Sequence, residues 1–387
     1  MSPRERPPRD GHALFLTAPS GTEPALKDEI KELGLAGAKA ARGGVRVWGS
    51  DEALARLCLR SRIATRVLVE VARFECDGED ALYDGVHSVE WQRWLSTDRT
   101  LAVTATGKDA RKGHTHYLAQ RTKDAIVDRQ REGRGARSDV DPDDPDVGVV
   151  VHLAGGEAGV FLDASGGPLF LRGWRKDSTE APLKENLAAA ILRLSGWDRE
   201  RPLVDPMCGS GTFPIEGWLW AQDGDAQASD RRFGFERWAD HEEARAEALA
   251  RARARPRRPR EPACFGSDRD PSAVEAARSN ATRAGARVQL SVRELAEVSL
   301  PEGAHVVLNP PYGERLEADV ESWRALEDAL RRWSEHHVAA LIPEDAPRLD
   351  LGRPTRVVRL YNGAIPCRLV VSEPRQRGAR APGRRGR

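Results

Sequence analysis

The sequence predicts an α/β protein of more than one domain, whose C-terminal half is a doubly wound parallel sheet. Three observations carry this. The 387 residues exceed the usual size of one domain. Short β-branched runs alternate with helix-period stretches along the chain. Two apolar strands each end in an acid, at Asp205 and Asp268, and the first runs into a glycine turn. Composition narrows the class further. The chain is 40% hydrophobic and 31% charged, and no run approaches the roughly 20 apolar residues needed to span a bilayer. Met1 to Asp10 is polar, without the apolar centre of a secretory signal, so a cytoplasmic protein is expected. Five scattered cysteines (Cys58, Cys76, Cys208, Cys264 and Cys367) suit neither a disulfide framework nor a zinc site. They are expected as free, mostly buried thiols, with no metal bound.

The N-terminal half reads as small α/β units. An apolar run at Ala13 to Leu16 is followed by a helix from Glu23 to Leu33, a strand at Val45 to Trp48, a helix from Asp51 to Arg60 and a β-rich stretch from Ala64 to Phe74. A helix from Ala81 to Leu95, a strand at Leu101 to Thr106 and a helix from Tyr117 to Arg131 come next. Strands return at Val147 to Leu153 and Gly159 to Asp163, with Gly155-Gly156 as their hairpin turn. Asp139 to Asp146 resembles a calcium loop only superficially. Two prolines and the missing distal Glu make it a solvated turn.

Net charge is only +1, so any nucleic-acid contact must come from local clusters. Thr104 to Arg137 holds nine Lys or Arg against four Asp or Glu. Lys108, Arg111, Lys112, Arg121 and Lys123 are its candidate nucleic-acid ligands. The tail from Arg375 to Arg387 has six arginines and no acid, and reads either as a phosphate-gripping arm or as a solubilising tail.

The chemistry concentrates after a linker-like stretch, Gly173 to Pro182, and a helix from Leu183 to Leu194. Leu203 to Phe213 is strand, acid, glycine turn, then helix, a geometry that lets a ligand approach the backbone and meet free helix N–H groups. No Gly-Lys-Ser/Thr follows, which excludes a P-loop. Pro214 stands where a dinucleotide site needs its third glycine. After a polar insertion from Gln222 to Pro262, Ala263 to Asp268 is another strand ending in an acid, placed to accept from a ribose diol, while Asp270 caps the helix from Pro271. A third strand, Val288 to Val292, leads to Glu294, either an acceptor for an adenine amino group or a surface carboxylate.

Most specific is Ala304 to Gly313, a strand entering Asn309-Pro310-Pro311-Tyr312. The Asn309 side-chain carbonyl and the Pro310 main-chain carbonyl both accept from an exocyclic amine, aiming its lone pair at an electrophilic methyl group. The prolines stiffen the loop, and Tyr312 offers a stacking face for an extruded base. Transfer from a sulfonium needs positioning more than acid or base, so the lack of a triad or activated cysteine fits. Cys208 reads as a small residue that suits its turn.

These residues resemble the THUMP-domain class I methyltransferases that form N2-methylguanosine in RNA, and within them the bacterial large-subunit ribosomal RNA guanine-N2 methyltransferases. The likeness is carried by Asp205 to Thr212, Gly266-Ser267-Asp268, Asn309 to Arg315 and Leu360 to Ile365, supported by Leu183 to Ala190 and Tyr117 to Arg129. It implies a Rossmann-like class I methyltransferase sheet preceded by a ferredoxin-like unit and a THUMP α/β domain. The boundaries expected are a flexible N-terminus at 1–10, the ferredoxin-like unit at 11–65, the THUMP RNA-binding domain at 66–168 and a linker at 169–182. The methyltransferase domain follows at 183–374 with its insertion at 222–262, then a basic tail at 375–387. By the same resemblance Asp205, Met207, Cys208, Gly209, Gly211, Thr212, Asp268 and Arg269 hold S-adenosylmethionine (SAM), Glu294 contacts adenine, and Asn309 to Tyr312 bind the amine. Glu294 departs from the Asp more usual there. Some relatives carry a second fused methyltransferase domain, so one activity is expected here. Transfer RNA is the alternative substrate, and the THUMP-like half ranks DNA low. A non-catalytic RNA-binding or ribosome-assembly factor is the alternative class.

Overall fold

The computed structural model of the protein describes residues 11–107, 115–176, 183–310, 320–346, 349 and 355–374. The chain forms two compact units. Unit 1 comprises residues 1–171 and 225–256, unit 2 residues 172–224 and 257–387.

Unit 1 begins with β1 (His12–Thr17), α1 (Glu23–Glu32), β2 (Lys39–Ala41), β3 (Gly44–Gly49), α2 (Asp51–Arg60) and β4 (Arg66–Glu75). Then come α3 (Glu79–His87), β5 (Leu101–Gly107), α4 (Thr115–Arg134), β6 (Val147–Ala154) and β7 (Glu157–Asp163). Its strands make one seven-stranded sheet in the order β2-β3-β1-β4-β7-β6-β5. Strand β4 is its centre. Arg66 to Val69 pair with β1, and Leu68 to Glu75 pair with β7 across a register shift between Glu70 and Ala72. The expected boundary between residues 65 and 66 therefore falls at the first residue of a strand that both halves share. Val67, Leu68 and Val69 are all buried, as a strand covered on both faces requires.

Buried Glu29 of α1 secures the exit from α2, accepting from the Ser61 hydroxyl at 2.6 Å and the Arg62 amide at 3.0 Å. Gly155 and Gly156 take positive φ, 61° and 82°, in the tight β6/β7 hairpin. Asp141 accepts from the amides of Asp143 and Asp144, so the acidic stretch is a side-chain-stabilised turn. The helix expected from Ala81 to Leu95 is shorter: α3 stops at His87, and a 3-10 turn covers Trp91–Arg93. The break buries Trp91 fully and lets its indole donate to the Val86 carbonyl at 2.9 Å.

Unit 2 starts with α5 (Glu185–Leu194), β8 (Leu203–Asp205) and α6 (Thr212–Ala221). The chain then forms α7 (Glu242–Arg253), which belongs to unit 1, and returns with β9 (Cys264–Asp268), α8 (Pro271–Ala284) and β10 (Val288–Val292). β11 (His305–Leu308), α9 (Val320–Arg332), β12 (His337–Pro343), β13 (Arg356–Asn362) and β14 (Ile365–Ser372) complete it. The sheet order is β10-β9-β8-β11-β12-β14-β13, parallel from β10 to β12 and antiparallel beyond. This is the doubly wound sheet expected.

The insertion is more ordered than its polar composition suggests. Ala248, Leu249 and Ala252 of α7 are buried in unit 1, where the helix packs on α2. Arg245 is buried too, its guanidinium 5.6 Å from the Trp238 ring centroid and donating to the Trp238 carbonyl. All five cysteines are free and buried. Among the described residues no helix is long and apolar enough to cross a membrane.

Candidate active site

In an open parallel sheet, ligands bind at the carboxyl edge where the strand order reverses. Here that point lies between β8 and β11, since β9 and β10 continue to one side of β8 while β11 and β12 continue to the other. Val204 pairs with Val306, so Asp205 and Asn309 leave the sheet at the same edge.

The turn after β8 is held from several directions. Asp205 is 2% exposed and accepts from the Met207 amide at 3.1 Å. Burial pushes its carboxyl well above the usual range; the Met207 amide opposes the shift and the charge of Asp268 adds to it. A cation bound against these two acids would lower that cost. The Cys208 amide donates to the Ser267 carbonyl at 2.9 Å, and the Gly209 amide donates to the Asp268 carboxylate at 2.9 Å. The other Asp268 oxygen accepts from the Asp270 amide at 3.1 Å. Gly211 caps α6 at φ 86°, and a Cβ there would stand 3.0 Å from that of Ala277. Only glycine combines that φ with that approach.

Sequence reasoning missed two supports of this turn. Arg175 lies in the stretch read as a linker, yet its guanidinium donates to the Glu185 carboxylate at 2.8 Å, to the Leu183 carbonyl at 2.9 Å and to the Thr212 hydroxyl at 2.9 Å. Its neighbour Trp174 is buried against Ile215 and Ala281. Asn280 of α8 donates to the Ser210 carbonyl at 3.1 Å. No periodicity marks either residue, because both act through contacts distant in sequence.

Cys208 is buried, and that burial raises its thiol pKa strongly. Its neutral thiol packs in the turn and is no nucleophile. Asp270 caps α8 as expected, accepting from the Ser272 amide at 2.8 Å. Met207 is half-buried against the core cluster beneath α9, and Arg269 is exposed at the end of β9. Glu294 is exposed after β10, its amide donating to the Glu297 carboxylate at 3.4 Å. Within unit 1, the Arg121 guanidinium sits 4.2 Å from the Tyr83 ring centroid and 3.3 Å from Asp80, and Lys123 pairs with Asp124 at 2.5 Å. Lys108, Arg111, Lys112, Pro311 and Tyr312 lie outside the described residues.

At Asn309 the side-chain Oδ1 is buried and has no hydrogen-bond partner among the described residues. An unpaired buried acceptor costs about 1–3 kcal/mol, a cost that a bound donor would relieve. With the glycine turn and two strand-end carboxylates on the same edge, these residues fit a nucleoside-bearing cation and an amine donor. Asp268 and the Gly209–Gly211 turn would hold SAM, which supplies an electrophilic methyl group.

The fold and this edge define a class I SAM-dependent methyltransferase domain. Residues 172–344 match the RMKL-like methyltransferase domain family, residues 13–68 the RlmL ferredoxin-like domain and residues 76–163 the THUMP domain. The chain thus carries a ferredoxin-like unit, a THUMP domain and a methyltransferase domain in that order. It is 39% identical to a ribosomal RNA large subunit methyltransferase K/L of Syntrophotalea carbinolica, covering 95% of this chain and 55% of that protein. With its counterpart in Methylococcus capsulatus it shares 41% identity, over 92% of this chain and 50% of that one. The chain thus spans about half the length of the curated relatives it matches. Among solved structures, SMU.472 complexed with SAH is similar at 28% identity and a TM-score of 0.81, over 95% of this chain and 100% of that one. A Listeria monocytogenes protein described as a predicted N6-adenine-specific DNA methylase is similar at 27% identity and a TM-score of 0.80, over 94% and 97%.

Proposed function

We propose that this chain transfers a methyl group from SAM to the N2 amine of a guanosine in RNA, with large-subunit ribosomal RNA as substrate. The observation that carries the reading is Asn309 Oδ1, a buried acceptor without a partner among the described residues, at the switch point and one strand away from the glycine turn. The amine donates to Asn309 Oδ1 and to the Pro310 carbonyl, which leaves its lone pair free and fixed in direction. Asp205, Met207, Cys208, Gly209, Gly211, Thr212, Asp268 and Arg269 line or brace the SAM site, and Glu294 is the acceptor for the adenine end. Pro311 and Tyr312 complete the amine loop. The RNA contacts of the N-terminal half are Lys108, Arg111, Lys112, Arg121 and Lys123. Relatives named for ribosomal RNA support the substrate, and the THUMP domain favours RNA over DNA. The protein works in the cytoplasm, on free RNA or on a ribosome-assembly intermediate.

The test is a comparison of modified nucleosides, by mass spectrometry, in ribosomal and transfer RNA from wild-type and deletion strains. Loss of one N2-methylguanosine from large-subunit RNA is expected. An unchanged ribosomal map with a lost transfer RNA mark would move the substrate. SAM binding without methyl transfer to any RNA would leave an assembly factor.

A further inference from the structure

The hairpin of β13 and β14 sets two arginines on one face. Arg359 and Arg368 stand directly opposite each other across it, an arrangement that weakens a sheet. Two residues nearer the turn, Tyr361 is 45% exposed and faces exposed Pro366. Alternation sets the face: Leu360, Cys367 and Leu369 are buried, so Arg359, Tyr361 and Arg368 share the other side. Among the described residues the buried Nε of Arg368 has no hydrogen-bond partner. Arg359 meets Glu344 at 3.6 Å, but its side chain is 85% exposed and the pair contributes little.

Position completes the argument. Strand β12 runs three residues past Ala340, the partner of Leu308, to Pro343, which pairs with Cys367. At about 3.3 Å per residue the hairpin therefore extends about 10 Å beyond the level of Leu308, on the edge from which Asn309 emerges.

We propose that Arg359, Arg368 and Tyr361 form the contact for the RNA strand flanking the target nucleotide, a site that rests on the RNA reading above. The two guanidiniums bind backbone phosphates, and Tyr361 stacks on a neighbouring base. A polyanion suits this face because it would neutralise two like charges placed opposite each other. The exposed ring beside the charges suits unpaired bases.

The experiment uses the full chain, SAM, and transcribed large-subunit ribosomal RNA, with binding measured from about 50 to about 200 mM salt. The double variant Arg359→Ala/Arg368→Ala is expected to bind this RNA at least about tenfold more weakly, with a salt slope smaller by nearly two. Its SAM affinity stays the same, and its urea midpoint stays level or rises. Tyr361→Ala is expected to weaken RNA binding about 5- to 100-fold at unchanged salt slope, and Tyr361→Phe to restore it. Wild-type methylation of RNA together with variant affinity and salt slope equal to wild type overturns the hairpin contact alone. A loss of SAM affinity or stability in step with RNA binding also overturns it, by assigning these residues to the fold. Wild-type protein that methylates no RNA overturns the underlying reading and the contact with it.

Discussion

Asp268 accepts a hydrogen bond from the Gly209 amide at 2.9 Å, so the end of one parallel strand fixes the glycine turn that follows its neighbour. Asp268→Ala should weaken SAM binding about 10- to 100-fold, the range for losing hydrogen bonds to a charged group. Asp268→Asn, which keeps an acceptor for Gly209, should lose less. Calorimetric titration with SAM orders the three proteins, and equal losses in both variants would show that charge alone matters.

Asn309→Ala removes an acceptor with no partner among the described residues. Its thermal midpoint should stay within about 2 °C of wild type, because the lost acceptor has no partner among the described residues. Methyl transfer should fall about 100-fold or more, as for other preorganised hydrogen-bonding groups in active sites, with SAM affinity retained. Undiminished transfer to bound RNA would remove Asn309 from the mechanism.

Gly211→Ala forces a left-handed φ of 86° on alanine and sets its Cβ 3.0 Å from Ala277. A loss of about 1–3 kcal/mol is expected, with weaker SAM binding, because the first turn of α6 must shift. Urea unfolding measures the first and titration the second. A variant as stable as wild type would mean that α8 yields at no cost.

His305 is buried, and its Nε2 is 2.8 Å from the Ser195 hydroxyl. Burial holds its pKa at about 3, and Arg201 and His337 push the same way. The unfolded value is about 6.5, so as pH falls the unfolded chain binds the proton first. Stability is therefore intact above about pH 6.5 and is lost as pH drops towards 3, by up to about 1.4 kcal/mol per unit. His305→Gln should flatten that part of the urea-midpoint profile. Identical profiles would rule out a buried neutral histidine as the source.

Leu249 on α7 is 4% exposed within unit 1. Leu249→Asp should destabilise the protein by about 3 kcal/mol or more, through lost apolar burial and a buried carboxylate. The same change at exposed Glu247 should cost under about 0.5 kcal/mol. Matching urea midpoints for the two would place α7 on the surface.

Much of the fold was legible in the residues. β10 spans Val288–Val292 and α2 spans Asp51–Arg60, both as read from pattern, because each is a local apolar period between clear stops. Legibility failed where local preference and tertiary burial disagree. Trp91 ends α3 early to reach a buried partner, and α7 is an arginine-rich helix of low amphipathicity whose buried residues pack against α2. The linker reading of Gly173 to Pro182 missed Trp174 and Arg175 for the same reason: nothing within a few residues shows what they touch.

The sequence by itself determined the parts: a glycine turn after an acid-ended strand, a second strand ending at Asp268, and a stiff loop opening at Asn309. Short-range chemistry governs these, since φ preferences, caps and strand ends depend on neighbours in the chain. Only the tertiary structure decided that β8 and β11 lie side by side, that Asp268 holds Gly209, that Asn309 Oδ1 is buried without a partner, and that Arg359 faces Arg368. The pairings among these join residues 9 to more than 100 positions apart, and strand order and register, not local propensity, select them.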